Sequence, residues 1–391
     1  MLNPARLSLL KDILSQPTAP FREAHVARCV AARLDENGIP FFEDPAGNLV
    51  VGVKSPQEYR RLLRARGDEP VRLVIAHMDH PGFHGVRWLD ERRLAVQWLG
   101  GSPVKHVNGA RVWLADNGGT HVEGRLAKAT RVKGGWAIDR AEVHLPRSVV
   151  SPRSVAAKRL FGGFAFRAPC WISGKRLYAR AADDLAGVFT IVNTAMELFS
   201  DGRSGNVPFI GLLTRGEEVG FVGAVRHFEL GWLASARRPV VCVSLEASRN
   251  LPGAVMGKGP VVRLGDRRTT FDPGALRVLT DLAEKLLPGR HQRRIMDGGA
   301  CEATAATAWG YTTLGLTLPL GNYHNQGLDG GSDCLKPNGP APEFVHLDDV
   351  AGMQRLVAGL MAPGLPWGDP WAATRERLLK NAALYRSKEK P

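Results

Sequence analysis

The chain of 391 residues is 44% apolar and only 23% charged, which supplies a large core and two domains and excludes a disordered protein. Its formal net charge of +14 would suit an anionic partner. The arginines, however, are scattered as pairs such as Arg60-Arg61, Arg237-Arg238 and Arg293-Arg294 with no interleaved aromatics, the pattern of a solvated surface that steers acidic substrates, so no nucleic-acid partner is expected.

The opening residues meet Lys11 and Asp12 before any long apolar run, and no stretch of about 18 apolar residues occurs. Neither a signal peptide nor contact with a membrane is expected, and the location is read as cytoplasmic. Cys29, Cys170, Cys242, Cys301 and Cys334 are odd in number, far apart and without a Cys-x-x-Cys pair. They read as small buried residues or free thiols, not as a disulfide framework or a thiolate metal site.

Residues 7–14 and 24–34 show helical apolar spacing around the breaker Gln16-Pro17-Thr18-Ala19-Pro20, which predicts two amphipathic helices on a sheet. Residues 47–53 and 71–76 read as strands, with a charged segment at 55–69 between them. From about His84 to Ser173, short alternating runs broken by Gly-Gly, Asn-Gly and Pro predict an inserted antiparallel β module. Residues 185–199 then form a helix that is apolar on nearly every face and so buried against the sheet. Further core strands are expected at 208–214, 238–245 and 312–320, and helices at 276–287, 348–361 and 371–385. The fold class is α/β.

The stretch that organises the rest is residues 207–223, centred on Glu217-Glu218. The apolar run before it is a strand buried on both faces, so the two carboxylates stand at its carboxyl end, where open α/β sheets collect ligands. His77 with Asp79, Glu246 and His324 stand at three other expected strand ends, and Asp183 at the entry to the buried helix. Two imidazoles and three carboxylates without a thiolate suit Zn²⁺, Co²⁺ or Mn²⁺, and a central carboxylate can bridge two ions ~3.5–4 Å apart. One glutamate of the pair can then bind metal while the other acts on a water, and Asp79 can hold the far ring nitrogen of His77. Plainer roles compete: a solvated acidic turn for Glu217-Glu218, a helix N-cap for Asp183-Asp184, turn residues for Asp79 and Glu246, and a surface histidine for His324. His80 and His84 are four apart, but Pro81 and Gly82 rule out a helical metal pair.

The ordered set His77-x-Asp79, Asp183-Asp184, Glu217-Glu218-Val219-Gly220 with Gly223-Ala224, Glu246 and Tyr323-His324 resembles the co-catalytic di-zinc aminopeptidases. Within them it is similar to the glutamyl/leucyl/lysyl aminopeptidases that assemble as TET particles. The resemblance covers most of the chain, including Asp44-Pro45-Ala46-Gly47-Asn48-Leu49, and the 106 positions from His77 to Asp183 match the insertion of that branch. It implies a zinc-peptidase-like fold, a mixed, largely parallel sheet flanked by helices. Residues 1–84 and 173–391 would form the catalytic domain, and 85–172 a small β-barrel-like domain serving as lid or oligomerisation element. It implies two divalent ions, zinc with cobalt or manganese as substitutes, bridged by Asp183. His77 and Glu246 would complete one site, Glu218 and His324 the other, with Glu217 as general base and Asp79 orienting His77. The implied substrate is a peptide or amino-acid derivative cleaved at its amino end, and the implied state is a homo-oligomer. The sequence departs from the family in having Glu246 where Asp is usual, Leu185 in place of an Arg, and Gly321-Asn322-Tyr323-His324-Asn325 in place of Arg-Tyr-x-His-Ser. Gly298-Gly299-Ala300-Cys301-Glu302-Ala303 resembles an altered Gly-Gly-Thr-Asp-Ala loop. The competing readings are an N-acyl or N-carbamoyl amino-acid hydrolase, a carboxypeptidase, and a non-catalytic metal-binding scaffold.

Overall fold

The computed structural model describes residues 2–146, 151–200 and 208–386. Val207, the first residue of the acidic-pair stretch, and residues 147–150 of the β module lie outside them.

The two opening helices are Pro4–Leu14 (α1) and Ala24–Glu36 (α2), and Phe41–Glu43 (β1) and Leu49–Val51 (β2) form a hairpin after them. The charged segment that follows is a helix, Pro56–Arg64 (α3): Ser55 caps it by accepting the Glu58 N–H, and Pro56 occupies its first position. It buries only Tyr59 and Leu63, too few apolar residues for a periodic signal. Val71–His77 (β3) leads into the inserted strands Gly82–Trp88 (β4), Arg93–Leu99 (β5), Arg111–Asp116 (β6), Gly119–Ala127 (β7), Arg140–His144 (β8) and Phe161–Phe164 (β9). These six close into a barrel in the order β4-β5-β8-β7-β6-β9 around a core that includes Phe83, Trp98, Leu114 and Phe164.

Cys170–Ser173 (β10) and Arg176–Ala179 (β11) return the chain to the main body, followed by Leu185–Ser200 (α4), Phe209–Thr214 (β12), Val222–Glu229 (α5) and Val240–Arg249 (β13). Then come Val261–Asp266 (β14), Pro273–Leu286 (α6), Gln292–Met296 (β15), Glu302–Ala308 (α7) and Thr312–Leu320 (β16). Glu343–His346 (β17), Leu347–Leu360 (α8) and Ala372–Tyr385 (α9) complete the chain. The main sheet has the order β1-β2-β12-β3-β13-β16-β14-β15, and β10-β11-β17 form a smaller one.

The four central strands β12, β3, β13 and β16 are mutually parallel, whereas β2 runs against both its neighbours and β14 runs against β16 but parallel to β15. Side chains alternate across the sheet. On β3, Val74 and Ala76 face the layer containing α1, α2, α4, α6 and α8, while Leu73 and Ile75 face α3, α5 and α7. Arg72 interrupts this apolar strand at its amino end. Its guanidinium donates to the carbonyls of Leu360 and Ala362 at the end of α8 and pairs with Glu69 at 2.6 Å, so the buried charge is matched by a helix C-terminus and a carboxylate. Parallel central strands bring four carboxyl ends to one edge. Among the described residues no helix is long and apolar enough to cross a membrane.

Candidate metal centre

At the carboxyl edge of the sheet, His77 is the last residue of β3 and pairs in register with Thr214, the last residue of β12. Arg215 and Gly216 then turn the chain so that Glu217 and Glu218 return over the strand ends. Gly216 has φ 63°, and a Cβ there would lie 2.6 Å from the Phe21 ring, so both backbone and space call for glycine. Glu246 is not a turn residue: β13 runs past it to Arg249, and it pairs with Thr317 in mid-ladder. His324 follows the end of β16, in the left-handed region with φ 53°. The two aspartates before α4 divide the roles weighed for them. Asp184 caps the helix by accepting the Gly187 N–H, and Asp183 faces the cluster.

The Asp183 carboxylate looks both ways: its Oδ1 is 3.6 Å from His77 Nε2 and its Oδ2 is 3.7 Å from His324 Nε2. Glu218 lies 3.2 Å from His324 Nε2, and Glu217 3.8 Å from His77 Nε2. Two donor triads share Asp183, one with His77 and Glu246, the other with Glu218 and His324, and in each the donor atoms lie within 4.8 Å of one another. His77, Glu217 and Glu218 form a third such group. All five residues whose convergence the sequence implied, together with Glu217, therefore meet in one place.

The chemistry of this cluster fits cations. Asp183 Oδ1, Glu218 Oε1, Glu246 Oε1 and Asp184 Oδ2 are buried without a hydrogen-bond partner, which is costly unless a positive charge faces them. Burial pushes the Glu217 and Glu218 carboxyls far above the ordinary carboxylate range. His77 pulls Glu217 down while Glu246 and Glu218 push it up, and Asp183 pushes Glu218 up. Burial alone would lower His77, but Glu217, Asp183 and Asp79 outweigh it and push the ring well above the ordinary imidazole range. Desolvation instead lowers His324 to about 4, so its contacts with Asp183 and Glu218 are those of a neutral imidazole, the form that ligates metal. Loading the site with cations therefore has to displace protons from His77 and the glutamates.

A layer of buried polar residues fixes the cluster. Asp79 accepts the amide N–H groups of Glu217 at 2.9 Å and Glu218 at 3.2 Å, so its carboxylate pins the acidic turn. His77 Nδ1 lies closer to the Asp79 carbonyl, at 3.1 Å, than to its carboxylate, at 3.7 Å. Glu23 accepts from Gly216 N and Arg215 Nε, and Asn48 accepts from Arg215 N. Two further buried acids, neither assigned a role from the sequence, belong to this layer. Glu343 on β17 takes the amides of Ala182 and Asp183 on one oxygen, and the amide of His324 and the His80 ring on the other. Glu302, at the start of α7, accepts from Thr214 and leaves its other oxygen unpartnered. Glu302 lies in the glycine-rich loop already singled out, whereas Glu343 stands in a Pro-rich segment with no pattern to mark it.

The barrel reaches this centre through the segment after β5. A Cβ on Gly101 would lie 2.3 Å from His324 Nδ1, so the chain passes directly against the imidazole.

Residues 164–327 match the model of the M42 glutamyl aminopeptidase family. No curated protein sequence matches the chain. Among solved structures, the TET1 peptidase of Pyrococcus horikoshii is 20% identical with a TM-score of 0.69 over 92% of this chain and 99% of its own. A TET aminopeptidase from a marine sediment Thaumarchaeota archaeon is 18% identical, with a TM-score of 0.71 over 92% and 97% of the two chains. An aminopeptidase from Desulfurococcus kamchatkensis is 19% identical, with a TM-score of 0.70 over 93% and 96%. At these identities the likeness is one of fold: the mostly parallel sheet, its helices and the closed barrel.

Two outcomes follow from the geometry. Glu343→Gln puts an amide donor against backbone N–H groups, and should weaken divalent-cation binding by about 10–100-fold, read by titration with zinc; unchanged affinity would contradict the positioning role of Glu343. The second concerns pH. Chiefly through burial, the carboxyls of Glu302 and Glu23 rise from 4.5 to about 7 and that of Glu246 to about 8. A raised folded-state pKa favours the neutral acid, so its stabilising contribution is present below pH 4.5 and lost as the pH rises through 7 to 8. Melts of chelated protein should fall across that window and recover on adding divalent cation, whereas pH-independent melts would contradict the burial.

Proposed function

We propose that this chain, an M42-type peptidase and hence a peptide-bond hydrolase, removes the amino-terminal residue of peptides at a two-cation centre. His77, Asp183, Glu218, Glu246 and His324 would hold the cations. The observation that carries this reading is the Asp183 carboxylate, which turns one oxygen to His77 and the other to His324 at 3.6 and 3.7 Å, the arrangement a bridging ligand needs. Aminopeptidase titles among the structures of like fold support the direction of cleavage. The donor set of imidazoles and carboxylates suits zinc, with cobalt or manganese as substitutes.

Two cations in this centre would polarise the scissile carbonyl and bring the pKa of a water towards neutrality. Glu217 is the general base in this reading. It belongs to the same turn as Glu218, its carboxylate lies within 3.8 Å of His77 Nε2, and its amide is tied to Asp79. It takes a proton from the attacking water and hands it to the departing amine. Asp79 keeps Glu217 and Glu218 in register and holds His77 through its carbonyl. Residues 1–84 and 173–391 are the catalytic domain in this reading. Residues 85–172 cover the site, as the approach of Gly101 to His324 suggests, and mediate self-association. One structure of like fold is described as a dodecamer, which supports a homo-oligomer here. All five cysteines are free, in keeping with a reducing, cytoplasmic setting.

Glu217→Gln should retain its cations and lose about 10²–10⁴-fold in kcat on aminoacyl amides. An active variant would refute the assignment of the base. Wild-type preference for N-acylated amino acids over free aminoacyl amides would refute the aminopeptidase reading.

A further inference from the structure

Against the barrel lies a hollow of about 720 Å³ that the chemistry above leaves unused. Its walls carry His106, Arg111, Arg125, Arg167 and Lys336, with Phe166 and Leu335 as apolar surface. A second hollow of about 610 Å³ shares Gly109, Arg111 and Arg125 with it and adds Arg92 and His144, so the two form one basic track. The acids along it do not cancel its charge. Asp333 is taken by Arg167 at 2.7 Å and Glu123 by Arg111 at 2.6 Å. Arg125 donates only to the Gly109 carbonyl, and among the described residues neither Arg125 nor Lys336 has an ion-pair partner.

Two chain segments tie this track to the metal centre. Gly101 presses on the His324 ring, and His106 lines the hollow; the five residue steps from one to the other span at most about 18 Å of extended chain. On the other side, Asn325 follows His324 and accepts the Ala341 N–H, next to Pro340 in the hollow wall. The hollow is thus within reach of a peptide whose amino end sits at His324, since about five to six extended residues cover the same distance. Exposed arginine and lysine heads beside apolar surface match carboxylate side chains on an extended peptide better than a bare phosphate chain, which would leave Phe166 and Leu335 without a partner.

Resting on the aminopeptidase reading, we propose that this track is an extended subsite for acidic side chains about five to seven residues downstream of the substrate's amino end. It would make acidic peptides preferred over neutral ones without touching the bond that breaks. The test compares three substrates on the metal-loaded protein: an aminoacyl amide, a heptapeptide with glutamates at positions five to seven, and the same peptide with glutamines. Wild type should favour the glutamate peptide in kcat/KM by about fivefold or more at low salt, an advantage that fades at high salt. The double variant Arg125→Glu, Lys336→Glu should lose the advantage while cleaving the aminoacyl amide at the wild-type rate. No preference in wild type, or a preference that survives the double variant, would overturn the subsite. If no substrate is cleaved, the functional reading fails separately. Fluorescence anisotropy of the labelled glutamate peptide then still decides the subsite, with weaker binding by the double variant supporting it and equal binding overturning it.

Discussion

Asp183, Asp184, Glu217, Glu218, Glu246 and Glu302 crowd one buried region at the carboxyl edge of the sheet; burial pushes Asp184, Glu217, Glu218, Glu246 and Glu302 upward first, and nearby carboxylates, Asp79 in the case of Glu302, push them further. Two like charges about 4 Å apart repel by roughly 4 kcal/mol even at an effective dielectric of about 20. So many carboxylates can share the space in only two ways: by keeping their protons, or by meeting positive charge. Arg263, buried near Glu246, and the ring of His77 supply some of it. The oxygens left without a partner mark where the rest must come from.

The scaffold answers this repulsion with rigidity. Four parallel strands deliver His77, the Glu217-Glu218 turn, Glu246 and the His324 loop to one edge, and His77 and Glu246 are themselves held in the ladder. Asp79 and Glu343 do the finer work. Asp79 gathers the amides of both glutamates of the turn, and Glu343 joins the backbone of Asp183 to that of His324. Glu343 thereby couples the two halves of the cluster, so a change on β17 is felt at both. The barrel contributes differently, by laying Gly101 on His324 and the basic track beside the approach to it.

Much of this was legible in the chain because the signal was local. The apolar runs of β3, β12, β13 and β16 are buried on both faces, and their polar ends stand out in the sequence for that reason. The roles of Asp183 and Asp184 needed coordinates, since adjacent aspartates before a helix read alike until one is seen to cap it. Helix α3 escaped notice because it buries two residues and presents charge elsewhere. The last two strands of the sheet, β14 and the edge strand β15, carry Arg263, Arg293 and Arg294 in place of an apolar run. Glu343 could not be found from the sequence at all: its four partners lie 19 to 263 positions away, and only the fold assembles them. Where a role depends on what a backbone amide faces, as it also does for the Asp79 carboxylate, residue type and spacing carry no information.

The claim on which the rest turns is that Asp183 stands between two cations. Anomalous diffraction at the zinc edge from crystals grown with zinc tests it most directly. The account requires two peaks about 3.5–4 Å apart, with Asp183 between them, one peak against His77 and Glu246 and the other against Glu218 and His324. A single peak, or peaks that do not share Asp183, would contradict it.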